Sequence, residues 1–121
     1  MNDGASTVTF IGTTDVNGTA LNVTRITAAF YGVTVINTTT MGIDITVNGP
    51  LSIMNVTNKL AINGKTLSLN GTVSGSGTLT GSSSSNLIVG SSGVLGTLSF
   101  DQSTSNITNV LKDFTVNSGA T

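Results

Sequence analysis

Large apolar residues recur at every second position of this chain, but only in bursts of three to five residues. The bursts are Val8-Thr9-Phe10, Val33-Thr34-Val35, Ile43-Asp44-Ile45-Thr46-Val47, Leu51-Ser52-Ile53 and Leu60-Ala61-Ile62. Leu67-Ser68-Leu69, Leu87-Ile88-Val89, Leu98-Ser99-Phe100 and Phe114-Thr115-Val116 continue the series. A period of two sends alternate side chains to opposite faces of a strand, so each burst predicts a short strand with its large residues inside. No stretch keeps a helical period with caps. Thr24 to Phe30 comes nearest, and its threonines argue against a helix.

Corners recur as well. An apolar residue is followed by Asn-Gly at Val16-Asn17-Gly18, Val47-Asn48-Gly49, Ile62-Asn63-Gly64 and Leu69-Asn70-Gly71. Asn-Gly tolerates positive φ, which predicts sharp bends directly after buried residues. Such turns could join hairpins in a β-sandwich, the alternative fold. Strands this short fit better as the faces of a β-solenoid (β-helix), and the expected architecture is all-β with about five short coils of about 20 to 24 residues. The inner column is expected to hold Val8, Phe10, Val23, Phe30, Val33, Val35, Ile45, Val47, Ile53 and Leu60. Ile62, Leu67, Leu69, Leu79, Leu87, Val89, Leu98, Phe100, Phe114 and Val116 complete it.

Composition agrees. Thr, Ser, Asn and Gly make up about half of the 121 residues, a mixture suited to pleated strands and tight corners. Charged residues are 7%, against about 25% in an average soluble domain, and the net charge is −1. That leaves no field for steering nucleic acid. No apolar run is long enough to span a bilayer as a helix. Met1 before Asn2-Asp3-Gly4 reads as an expression start, so any export signal is expected to lie outside the chain.

A longer period overlies the short one. Ile26–Val35 aligns without a gap on Ile107–Val116, and Thr7–Phe10 on Thr97–Phe100. Residues 1–121 are expected to form a single segment with an internal super-repeat, about 7–37 echoed by about 97–121.

Leu60 to Gly81 (LAINGKTLSLNGTVSGSGTLTG) and Ser85 to Phe100 (SNLIVGSSGVLGTLSF) give the chain a recognisable phrasing, which Phe30 to Thr39 and Ser6 to Thr13 share. In it the chain resembles the Thr/Asn/Gly/Ser-rich β-solenoid repeat segments of large cell-surface proteins of Bacteroidota, generally exported by the type IX route. The resemblance implies an extracellular or cell-surface stalk, adhesin or fibre, and it brings no catalytic residues.

Much chemistry is excluded. Without His, Cys or Glu, a Ser-His-Asp triad, a Cys-His pair and the common zinc sites cannot be built from this chain. Asp3, Asp15, Asp44, Asp101 and Asp113 are scattered, and each reads as a solvated corner or surface residue rather than half of a hydrolytic pair. Gly75-Ser76-Gly77 with Gly81 misses the dinucleotide spacing and reads as a corner. The oxygen-rich run Asp101 to Asn106 lacks the acids of a tight calcium loop. Asn17, Asn22, Asn37, Asn55, Asn70 and Asn106 stand in acceptor sequons but read as stacked or corner asparagines. Thr7-x-Thr9 and Thr78-x-Thr80 have the form of an ice-binding face without its regular spacing, and Tyr31 is the one outward aromatic.

Catalytic, cofactor-binding and metal residues are therefore expected to be none. The expected function is a non-enzymatic repeat module whose ends carry no cap, stacking head to tail on copies of itself or on adjacent repeats. A glycan- or surface-binding module is the alternative. A polysaccharide-degrading β-helix fragment is disfavoured, because such enzymes cluster acids with Arg or Lys and this chain has Arg25 and three lysines.

Overall fold

The computed structural model describes residues 7–10, 14–16, 27–90, 95–103 and 107–120, with side chains from Ala29 onward. Among them are thirteen strands and no helix. The first six are β1 (Thr7–Phe10), β2 (Thr14–Val16), β3 (Thr27–Phe30), β4 (Gly32–Val35), β5 (Thr39–Met41) and β6 (Asp44–Val47). Then come β7 (Leu51–Ile53), β8 (Lys59–Ala61), β9 (Thr66–Leu69), β10 (Val73–Ser74) and β11 (Thr78–Thr80). β12 (Ser82–Val89) and β13 (Leu111–Val116) are the longest.

The strands form three sheets, in the orders β1-β4-β7-β10, β2-β5-β8-β11 and β3-β6-β9-β12-β13. As far as β12, each strand pairs with the third strand before or after it, so three consecutive strands supply one strand to each sheet. Between β12 and β13, among the described residues, the first two sheets are extended by single bridges, Val73 to Gly96 and Leu79 to Phe100. All pairings among the described residues are parallel. A sandwich of hairpins requires antiparallel pairs, which sets that alternative aside.

Alternation does the packing. β6 and β9 read half-buried, buried, half-buried, buried, and their inner residues line up across the sheet. Ile45, Leu67 and Leu87 are register partners in one column, and Val47, Leu69 and Val89 in the next. Val33 beside Leu51 and Leu60 beside Leu79 do the same in the other two sheets. All ten are buried, and residues of all three sheets meet in one apolar cluster. Each fully buried Val, Leu or Ile contributes about 1.5–3 kcal/mol of transfer free energy.

Thirteen of the residues assigned to the inner column are buried, from Phe30 to Val89, and Met41 and Leu51 join them. Leu98 and Phe100 are half-buried against the cluster. Phe114 and Val116 are the correction: they hold the inner phase of β13 but are 56% and 55% exposed, because among the described residues no further strand covers β13, whereas Phe30 at the other end of the sheet is buried. Val8, Phe10 and Val23 lie outside the described side chains. Thr39 fills an inner position and is fully buried, its hydroxyl donating to the Asn37 carbonyl at 3.3 Å.

The Asn17-Gly18 corner lies outside the described residues, and the other three Asn-Gly corners divide into two kinds. Asn63 (φ 55°) and Gly64 (φ 73°) take the expected left-handed bend, closed by the Lys65 N–H to the Ile62 carbonyl at 3.1 Å. Asn48-Gly49 and Asn70-Gly71 do not have positive φ. There glycine is required by stacking: a Cβ on Gly71 would run into the carbonyl group of Gly49, and one on Gly49 into the carbonyl of Tyr31.

The long repeat places its matching tripeptides in different sheets, although β3 of the first block shares the third sheet with β13. Val33–Val35 belong to β4 in the first sheet, whereas Phe114–Val116 belong to β13 in the third.

Candidate functional site at the β13 edge

Polar chemistry in the structure concentrates around Asp101. This residue is 8% exposed, which corrects the expectation of a solvated corner. Its carboxylate accepts the Ser103 hydroxyl at 2.5 Å and the Ser103 N–H at 3.3 Å, and Lys59 Nζ lies 3.0 Å away. The Ser103 hydrogen bond and then Lys59 hold its pKa below the usual 3.8. The Asp101 N–H also donates to the Leu79 carbonyl, and Thr108 donates to the Asp101 carbonyl at 2.9 Å. Both carboxylate oxygens are thus engaged, so the cluster acts as a staple joining Asp101, Ser103 and Thr108 to β8. Positions 104–106 of the oxygen-rich run lie outside the described residues.

The other acids do not converge. Asp44 accepts the Thr66 N–H at 2.8 Å, one strand along, and Asp113 makes an exposed pair with Lys112 at 3.8 Å that contributes little. Asp3 and the Asp15 side chain lie outside the described part of the chain. Among the described residues no three His, Cys, Asp or Glu groups come together.

The remaining candidates resolve into corners. Gly75 (φ 95°) and Gly77 press against Ile53, while Ser76 donates to the Met54 carbonyl at 3.0 Å, so this turn packs on the strand below it. Asn70 stacks on Asn48, Nδ2 donating to Oδ1 at 2.9 Å. Asn37 and Asn55 are exposed, and Asn17, Asn22 and Asn106 lie outside the described residues. Thr7-x-Thr9 is in β1 and Thr78-x-Thr80 in β11, on different sheets. Tyr31 is exposed, with its ring edge over Gly49.

The feature that sequence reasoning placed inside, and the structure leaves open, is the outer edge of β13. Phe114 pairs with Leu87 and Val116 with Val89, so the two continue the buried columns by one strand. Around them Val89, Leu95, Gly96 and Ala120 line a shallow, mostly apolar groove of about 190 Å³. The Asn117 N–H donates to the Val89 carbonyl at 2.9 Å, toward β12. Backbone groups alternate sides along a strand, so the N–H groups of Phe114 and Val116 point away from β12. Among the described residues, this edge combines backbone donors without a partner strand with two exposed apolar side chains already in core register. Its chemistry is that of strand addition.

Comparison with family models, with curated proteins and with solved structures returned no match.

Proposed function

We propose that the chain is a parallel β-solenoid segment serving as a structural, non-enzymatic repeat module of an extracellular or cell-surface fibre, stalk or adhesin. Its β13 edge receives a strand of a neighbouring unit, head to tail. The observation that carries this reading is the exposure of Phe114 and Val116 in the register of columns that are otherwise buried. An added parallel strand would cover two large apolar side chains and give their N–H groups acceptors. The rows of small hydroxyl residues on the outer faces, such as Thr34, Ser52 and Ser74 in register, suit an inert shaft that is soluble without charge. The resemblance to cell-surface repeat segments of Bacteroidota supports the same reading.

Those hydroxyl rows also favour the second reading, a face that binds glycan or another surface. It has less support, since the exposed Tyr31 lies beside a corner glycine rather than on such a row.

Sedimentation velocity over a dilution series, with negative-stain electron microscopy, tests the first reading. Concentration-dependent association into filaments a few nanometres wide is expected. A chain that stays monomeric at high concentration contradicts it.

A further inference from the structure

We propose that Asn70 is a site of spontaneous modification, converting through a cyclic imide to Asp and isoAsp, while the fold protects Asn48 and Asn63 from the same reaction. All three stand in one local sequence, a large apolar residue, Asn and then Gly. Glycine leaves the following amide nitrogen without a flanking side chain, so the bare sequence gives the three corners the same tendency to close on themselves. Their hydrogen bonds make them unequal. The Gly49 N–H donates to the Tyr31 carbonyl, and the Gly64 N–H donates to Ser85 Oγ at 2.9 Å. The Gly71 N–H has no acceptor among the described residues. A bonded amide must leave its acceptor before it can lose its proton, the same protection that slows amide exchange.

In the first step hydroxide takes the Gly71 amide proton, and the nitrogen bonds to Asn70 Cγ. The bond from Cγ to Nδ2 breaks, and the departing nitrogen takes a proton from water, leaving as ammonia and restoring the hydroxide. Water then opens the imide ring, and nothing is oxidised or reduced. Addition at Cγ gives Asp at this position, whereas addition at the main-chain carbonyl carbon gives isoAsp. The corner tolerates the two products differently. Asn70 Nδ2 donates to Asn48 Oδ1 at 2.9 Å, and in the Asp product the exposed Asn48 amide can turn and donate to the new carboxylate. IsoAsp adds a carbon to the backbone where a Cβ on Gly71 would already run into the carbonyl group of Gly49. That product pries the stacked corners apart.

Peptide mapping by mass spectrometry, on full-length folded chain incubated at pH 8, reads the amide-to-acid change at each asparagine, and electron-transfer fragmentation separates isoAsp from Asp. Asn70 is expected to convert about tenfold faster than Asn48 or Asn63, the worth of one net hydrogen bond. In concentrated urea, where no acceptor protects any of the three, their rates are expected to draw together. Ser85→Ala removes the acceptor of the Gly64 N–H. With folding checked by circular dichroism, this variant is expected to raise conversion at Asn63 and to leave Asn48 unchanged. Conversion of Asn48 or Asn63 as fast as Asn70 in the folded chain would overturn the assignment. So would an order that persists in urea, or an Asn63 rate that Ser85→Ala does not move, since either would remove the hydrogen bonds as the cause.

Discussion

Leu87 and Phe114 are register partners on adjacent strands, yet Leu87 is fully buried and Phe114 is 56% exposed. They occupy the same column, and the difference is the presence or absence of a strand on the far side. Substitutions at the two sites should therefore separate folding from association. Leu87→Ala is expected to cost about 2–5 kcal/mol in urea unfolding, as a core truncation does. Phe114→Asp should change single-chain stability by about 1 kcal/mol or less, yet abolish association in sedimentation, because a carboxylate would have to be buried at the join.

The two kinds of Asn-Gly corner make a paired prediction. Asn tolerates the left-handed region, and at Gly64 an added Cβ meets only the movable Ser84 hydroxyl. Gly64→Asn is expected to leave the urea midpoint nearly unchanged. At Gly71 the added atom meets the Gly49 backbone, which cannot step aside without moving the whole corner. Gly71→Asn should destabilise by about 1–3 kcal/mol or more, the range of overpacking.

Asp101 gives the stability a pH dependence with a definite sign. Its pKa is lower in the folded chain than the usual 3.8, chiefly through the Ser103 hydrogen bond and then Lys59. The unfolded chain then binds more protons as pH falls, so this contribution is present above about pH 4 and is lost as pH drops through the folded-state value. Asp101→Asn should lower the thermal midpoint at pH 7 and narrow the difference between pH 7 and pH 2.5. An unchanged difference in that variant would remove Asp101 from the acid response.

Legibility in the sequence follows the chemistry of the inner residue. Strands β4, β6, β7 and β9 are plain because Val, Ile or Leu fills both inner positions. β5 is hidden because one of its inner residues is Thr39, and β10 because two residues carry no period. The serine run opening β12 is hidden for the same reason: Ser85 is fully buried and accepts the Gly64 N–H at 2.9 Å, where an apolar residue would be expected. Leu98-Ser99-Phe100 alternates as a strand does, but only Phe100 makes a bridge, at the end of the second sheet. Asp101 could not be read as buried, since Lys59 lies 42 positions away and only the fold brings the two together. At β13 the alternation identifies the inner phase of Phe114 and Val116. Whether a further layer covers them is set by sheet order, which a local pattern does not contain.

The most direct test of the account is amide hydrogen exchange at Phe114 and Val116, measured at low and at high protein concentration. Both N–H groups point away from β12, so they should exchange rapidly in dilute monomer and become protected on association, while Asn117, bonded to Val89, stays protected in both. Protection of Phe114 and Val116 that does not change with concentration, whether fast or slow throughout, would contradict strand addition at this edge.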